Sequence, residues 1–248
     1  MTKVLYHEEE GVSWITLNRP EKLNALDGEA WRLLGDALRR GNEADTIALV
    51  VSGSGRAFSS GDDIEAMLQA DTPEKAEDFF NNLWYAVDSL FHVKKPVIGA
   101  VNGLAYGGGC ELLFLMDVVV AVEGAKFSIP EGKLGLIPPM ALTIGYRAMG
   151  RPVAWLMLTS EVIDSLRAKE LGLVDYVVKE GELREAVRGI VKKIAGLDQM
   201  SIRVMKTWLS RERQGIREAV RELTLMNLSK EARDRMRDFL ERRLRESS

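Results

Sequence analysis

Cysteine and histidine are scarce in this chain: one Cys, Cys110, and two His, His7 and His92, in 248 residues. A lone thiol excludes an intramolecular disulfide and fits a reducing compartment. Two histidines, neither near a nucleophile-like residue in sequence, leave few members for a Ser/His/Asp triad or a histidine metal site. Long apolar runs are missing too. The strongest, LLFLMDVVVAV at 112–122, is too short to span a bilayer and carries Asp117, and the start MTKVLYHEEEG lacks the apolar core of a signal peptide. Neither sign of charge is in excess, with 34 Lys plus Arg against 37 Asp plus Glu and a net charge of -3. Nothing global attracts a polyanion, so no nucleic-acid partner, no membrane and a cytoplasmic location are expected.

What is present reads as an ordinary globular chain, 46% hydrophobic and 29% charged, long enough for one large domain or one with an appendage. VLYHEEEGVSWITLNRP predicts two strands joined at Glu10-Gly11. A helix follows, capped by Asp27, with Trp31, Leu34 and Leu38 on one face. IALVVSG (47–53) and PVIGAV (96–101) are continuous apolar runs, as in strands buried on both faces; DVVVAV and KFSI continue the series. Thr72-Pro73 starts a helix with Phe79, Leu83, Val87 and Leu90 at helical spacing. This alternation predicts an α/β fold over residues 1–180. Residues 181–248 read as a charged helical region, in which a stripe of Ala232, Met236, Phe239 and Leu240 needs a surface to bury against.

The strand PVIGAV is expected to lead straight into GLAYGGGCEL, where CELLFLM turns helical. A strand, a Gly-rich loop and a helix start present unpaired N–H groups to an anion. Phosphate chemistry fails on detail: Cys110 and Glu111 follow Gly109 where a Walker loop needs Lys and Ser/Thr, and Leu112 stands where a dinucleotide fingerprint started at Gly107 needs glycine. A glutamate beside such donors suits a neutral carbonyl that turns negative only in the transition state, which is enolate chemistry. A second loop, SGSGRAFSSGDDIEAM, offers Asp62 or Asp63 as a helix cap and the Asp62 N–H as a second donor. The carboxylates there lack calcium-loop spacing, and no metal is expected. In KFSIPEGKLGLIPP, Glu131 sits between Pro130 and Gly132; taken with Glu111, it supplies an acid and a base for moving water across a double bond. Cys110 has no partner base and reads as a small buried residue.

Five ordered segments, WITLNRPEKLNAL, RAFSSGDDIEAM, KKPVIGAVNGLAYGGGCELLFLMD, KFSIPEGKLGLIP and ELGLVDYVV, resemble the crotonase superfamily, the enoyl-CoA hydratase/isomerase family. The resemblance implies a spiral of ββα turns with a C-terminal helical region that builds a homotrimer or a hexamer of two trimers. It implies an oxyanion hole from the N–H groups of Asp62 and Gly108, and an acid/base pair of Glu111 and Glu131. Acyl-CoA contacts fall on Lys22, Leu23, Ala25, Ser60, Gly61, Asp62, Asp63, Ile64 and Gly108, with no cofactor beyond the coenzyme A of the substrate. Two departures stand out: IPPMAL replaces a glycine-rich continuation after Glu131, and Asp62 occupies a position that is often alanine. The expected activity is hydration of a trans-2-enoyl-CoA thioester, with Δ3,Δ2-enoyl-CoA isomerisation as the rival. An oligomeric RNA-binding module using ERRLR (241–245) is the alternative of a different class.

Overall fold

The computed structural model describes residues 2–210 and 215–246. Strands β1 (Val4–Glu9) and β2 (Val12–Leu17) pair antiparallel through Glu10 and Gly11, whose φ of 52° and 75° close the expected tight turn. Helix α1 (Gly28–Glu43) starts where the Asp27 carboxylate accepts from the Ala30 N–H, and returns the chain to β3 (Ala48–Gly53), parallel to β2.

From there the chain repeats one manoeuvre. Each long strand is followed by a short one that turns away from it: β3 by β4 (Ala57–Ser59), β5 (Val97–Val101) by β6 (Leu104–Tyr106), and β7 (Val118–Val122) by β8 (Lys126–Ser128). Helices α2 (Ile64–Gln69), α3 (Pro73–His92) and α4 (Gly108–Glu111) fill the intervals. The long strands join one sheet of order β1-β2-β3-β5-β7-β10, closed by β10 (Tyr176–Val178). The short ones form a second sheet, β4-β6-β8-β9, with β9 at Ile163–Asp164. Asn102 staples two of the corners, its carbonyl accepting from the Gly53 N–H and its amide donating to the Gly55 and Ala57 carbonyls. The expectation that PVIGAV runs directly into the glycines is corrected here. The chain first turns at Asn102-Gly103 and lays down β6, because Ala105 has a place in the second sheet beside Phe127.

Period-two alternation buries the large sheet on both faces. Leu49, Val51, Val97 and Val119 join the main core under α1 and α3, whereas Ala48, Val50, Ile98 and Val120 face a second core closed by Val187 and Val191 of α8 (Leu183–Ala195). Full burial of each such aliphatic side chain stabilises by about 1.5–3 kcal/mol. Short helices α5 (Tyr146–Met149), α6 (Arg151–Thr159) and α7 (Ser165–Glu170) precede β10, and α9 (Gln199–Leu209), α10 (Ile216–Leu228) and α11 (Lys230–Glu246) complete the helical end. α10 packs on α3, and α11 packs on α2 and on the turn that holds Glu131. Ala232 and Met236 are fully buried, while Phe239 at the far end of the same stripe is exposed. ERRLR lies on α11, where Arg245 pairs with Glu241 at 3.6 Å. Among the described residues no helix is long and apolar enough to cross a membrane.

Candidate active site

The site lies where the small sheet ends. Parallel pairing of β4 with β6 sets the loop Ser60-Gly61-Asp62 against Tyr106-Gly107-Gly108. Gly61 has φ of 87°, and a Cβ there would stand 2.8 Å from the Tyr106 carbonyl and 3.0 Å from the Gly108 nitrogen. Only a glycine allows the two loops to touch. Gly107 is needed for a similar reason: its φ is 52°, and a Cβ would come within 3.0 Å of Glu131 Oε1. The Asp62 residue pairs with Leu26, but the bonds of that bridge run from Leu26 N–H to the Gly61 carbonyl and from Asp63 N–H to the Leu26 carbonyl. Gly108 opens α4, where N–H groups lack an intrahelical acceptor. Among the described residues, the N–H groups of Asp62 and Gly108 have no hydrogen-bond acceptor. Two free donors therefore sit side by side.

Carboxyl groups surround them. Glu111, one turn into the helical segment, is 2% exposed, and its Oε1 accepts from the N–H groups of Met140 and Ala141 at 2.8 Å each. The IPPMAL departure thus has a structural role. Pro138 and Pro139 bring the chain to a π-helical turn, Ala141–Gly145, whose first N–H groups grip the Glu111 carboxyl. Glu131 is 8% exposed, and its Oε2 is buried with no hydrogen-bond partner among the described residues. Burial is the main cause that pushes Glu131 up to about 8, and the neighbouring Asp62 adds to it. Burial, and then the Glu131 charge, lift Glu111 well above the usual carboxyl range against the pull of the Ala141 and Met140 N–H groups. Asp62 is raised to about 7, chiefly by burial, with the Trp31 indole N–H holding it down. All three carboxyls are thus held toward the protonated form, and Glu111 and Glu131 titrate as a coupled pair. The same burial raises the Cys110 thiol well above its ordinary value, which leaves it inert as a nucleophile.

The sequence model of the enoyl-CoA hydratase/isomerase family matches residues 7–246. The chain belongs to the enoyl-CoA hydratase/isomerase family. It is 38% identical over 217 residues to a probable enoyl-CoA hydratase of Rhizobium meliloti (strain 1021), covering 84% of this chain and 82% of that one. It is 32% identical over 196 residues to a carnitinyl-CoA dehydratase of Salmonella typhi, covering 77% and 74%. Among solved structures, an enoyl-CoA hydratase from Bacillus halodurans superposes with a TM-score of 0.89 at 26% identity, covering 95% of this chain and 99% of that one. The α/β spiral with C-terminal helices is the crotonase fold.

In this family member the remaining expected substrate contacts gather on one rim. Leu23 and Asn24 take left-handed φ of 53° and 58°, a bend that lets the Leu23 carbonyl accept from the Ser60 N–H. Ala25 is buried beneath it. Lys22 Nζ bonds Glu65 at 2.6 Å and Asp63 at 3.3 Å, which ties this bend to the start of α2. Asp63, not Asp62, caps α2, accepting from the Glu65 and Ala66 N–H groups in the first turn, which Ile64 begins. Burial pushes the Asp63 carboxyl up, but the Arg19 hydrogen bond and the Lys22 charge outweigh it and hold it below the usual value. All the expected site residues therefore belong to two adjoining clusters, the rim and the buried carboxyls.

Two contributors, Arg19 and Trp31, escaped the sequence reading, and Asn24, inside the expected contact stretch 22–25, has a structural role that the reading did not give it. Arg19 bonds Asp63 at 2.9 Å and the Ala25 carbonyl at 2.8 Å. Asn24 is fully buried and donates to the Ser54 and Ala57 carbonyls. Trp31 read as a core residue from its helical spacing, which is correct for the ring, but its Nε1–H donates to Asp62 Oδ1 at 2.7 Å. Arg19 and Asn24 stand inside the NRPEKLNAL segment, so local clustering of polar residues around a proline was the available signal. No periodicity points to the indole bond.

Proposed function

We propose that this chain is an enoyl-CoA hydratase that adds water reversibly to a trans-2-enoyl-CoA thioester. The thioester oxygen accepts from the N–H groups of Asp62 and Gly108, which stabilise the charge that develops there as the enolate forms. One glutamate of the Glu111/Glu131 pair takes a proton from water as its oxygen bonds to C3. The other gives its proton to C2, and a 3-hydroxyacyl-CoA results. The coenzyme A portion lies along Lys22, Leu23, Ala25, Ser60, Gly61, Asp63 and Ile64. No cofactor beyond the thioester takes part.

The observation that carries this reading is the pair of buried glutamates beside two free backbone donors. A single carboxyl would serve to shift a double bond, whereas water addition uses a base and an acid. Crotonyl-CoA incubated with the protein is expected to lose its enoyl absorbance as 3-hydroxybutyryl-CoA accumulates. No turnover of crotonyl-CoA, together with conversion of a 3-enoyl-CoA to the 2-enoyl isomer, overturns hydration in favour of isomerisation.

Assembly into a homotrimer or a hexamer goes with this reading. Met200, Val204 and Trp208 of α9 and Leu158 of α6 are exposed apolar side chains that such an assembly would cover. Light scattering on the purified protein is expected to give three or six copies, and a monomer contradicts it. Residues 1–180 carry the catalytic and coenzyme A sites and residues 181–248 the assembly helices, in a cytoplasmic enzyme.

A further inference from the structure

Asp62 has no evident structural duty for its side chain. The cap of α2 is supplied by Asp63, and the nearby cations Arg19 and Lys22 pair with Asp63, not with Asp62. Its one side-chain bond is the 2.7 Å hydrogen bond that Oδ1 accepts from the Trp31 indole. With Oδ1 on that bond, Oδ2 lies 3.6 Å from where a Cβ on Gly108 would stand, on the residue that carries the second free donor. The same point is 3.3 Å from the Trp31 ring, so the ring and the carboxyl both pack beside Gly108. Among the described residues, Oδ2 has no hydrogen-bond partner, and Asp62 is only half-buried.

We propose that the Asp62 carboxyl, seated by Trp31, is a specificity-determining group that selects an acyl chain bearing a hydroxyl next to the double bond over a plain alkyl chain. The inference rests on the enoyl-CoA reading of the same site. With the thioester oxygen on the Asp62 and Gly108 N–H groups, a carboxyl on the Asp62 side chain meets the first carbons of the acyl group. An alkyl chain there covers Oδ2 without pairing it, and a buried polar group left unpaired is penalised, whereas a hydroxyl satisfies it. The identity of the substituent follows from the unpaired oxygen: Oδ1 is held by Trp31 while Oδ2, beside Gly108, is left with one hydrogen bond to make, which a hydroxyl can fill. Asp62, lifted to about 7 mainly by burial, both donates and accepts near neutral pH, as a hydroxyl does. A fixed carboxylate there would oppose the developing enolate, so a neutral hydrogen-bonding partner fits the chemistry.

The test compares trans-4-hydroxycrotonyl-CoA with crotonyl-CoA, which differ by one hydroxyl. The wild-type protein is expected to prefer the hydroxylated thioester by about 10-fold or more in kcat/KM, the size of one hydrogen bond to a charged or acidic group. In Asp62→Ala the ratio is expected to fall to about 1, the loss of that one bond. Trp31→Phe, which keeps a ring but deletes the indole donor, is expected to lower the ratio at least about threefold. A wild-type ratio near one overturns the proposal whatever the variants do, as does an Asp62→Ala or Trp31→Phe protein that keeps the full ratio. If the wild-type protein hydrates neither thioester, hydration fails as the function. The same ratio, read then from their dissociation constants, still decides whether Asp62 recognises the hydroxyl.

Discussion

The six-stranded sheet and the four-stranded sheet are laid down by the same passes of the chain, taken alternately, yet they are built to different standards. In the large sheet the strands run five or six residues through most of its width, and neighbouring strands register without a break; a continuous apolar layer covers both faces. In the small sheet no strand exceeds three residues, and the β4–β6 pairing shifts register between Ala57 and Ser59. The first sheet supplies the long, unbroken ladder, and the second adds Phe58 and Phe127 to the main core. The second holds loops in place: its strand ends carry Gly61, Asp62, Gly107 and Gly108, and Glu131 follows β8 by three residues. The difference teaches that this architecture separates what folds the molecule from what the site requires, so that buried carboxyls are tolerated at the site without loss of the fold.

That separation can be broken experimentally. The largest effect is expected at the small sheet: Glu111→Gln should lower hydration by about 10²- to 10⁴-fold, the contribution of a positioned acid or base, while the protein melts close to wild type. Near-normal turnover would remove Glu111 from the chemistry. A smaller but opposite result is expected at Ile98, fully buried between β3 and β7. Ile98→Ala should destabilise by about 2–5 kcal/mol in denaturant titration and leave kcat of the folded fraction within about twofold. A collapse in kcat at unchanged stability would show that the two sheets are not separate in function.

The smallest effect concerns pH. Glu131 and Asp62 are raised from 4.5 to about 8 and from 3.8 to about 7, so the native state holds protons that the unfolded chain has released. Unfolding then becomes easier as pH rises, with the loss developing between about pH 4 and 8 and complete above it. Glu131→Gln cannot lose that proton. It should gain a few degrees in melting temperature over the wild type as pH increases through this window, since about 1 kcal/mol moves the midpoint of a chain this size by roughly 2–4 °C. A melting difference independent of pH would place the Glu131 carboxyl in solvent.

The same contrast governs how much could be read from the sequence. β3, β5 and β7 were legible because five or more apolar residues in a row have few other homes, and α1 and α3 because Trp31, Leu34 and Leu38, or Phe79, Leu83 and Val87, recur at helical spacing. The strand in GLAYGGG was not, since three residues are fewer than two full alternations and the following glycines disguise the boundary. Glu111 stood out because a carboxylate directly follows candidate backbone donors. Glu131 acquired meaning only as its partner and the Asp62 N–H only as a second donor beside the first loop, while the choice of Gly108 came from resemblance. The grip of Met140 and Ala141 on Glu111 joins positions 29 and 30 residues apart, and the Trp31 bond to Asp62 spans 31. Contacts of that range belong to the fold and leave no local pattern.

The central claim is that two loops of the small sheet bring Glu111 and Glu131 together to act as one acid/base unit. A double-mutant cycle on kcat/KM for crotonyl-CoA hydration, with Glu111→Gln, Glu131→Gln and the two combined, tests it most directly. The double variant is expected to be scarcely worse than the poorer single, as for residues that act as a unit. Losses that simply multiply would contradict it.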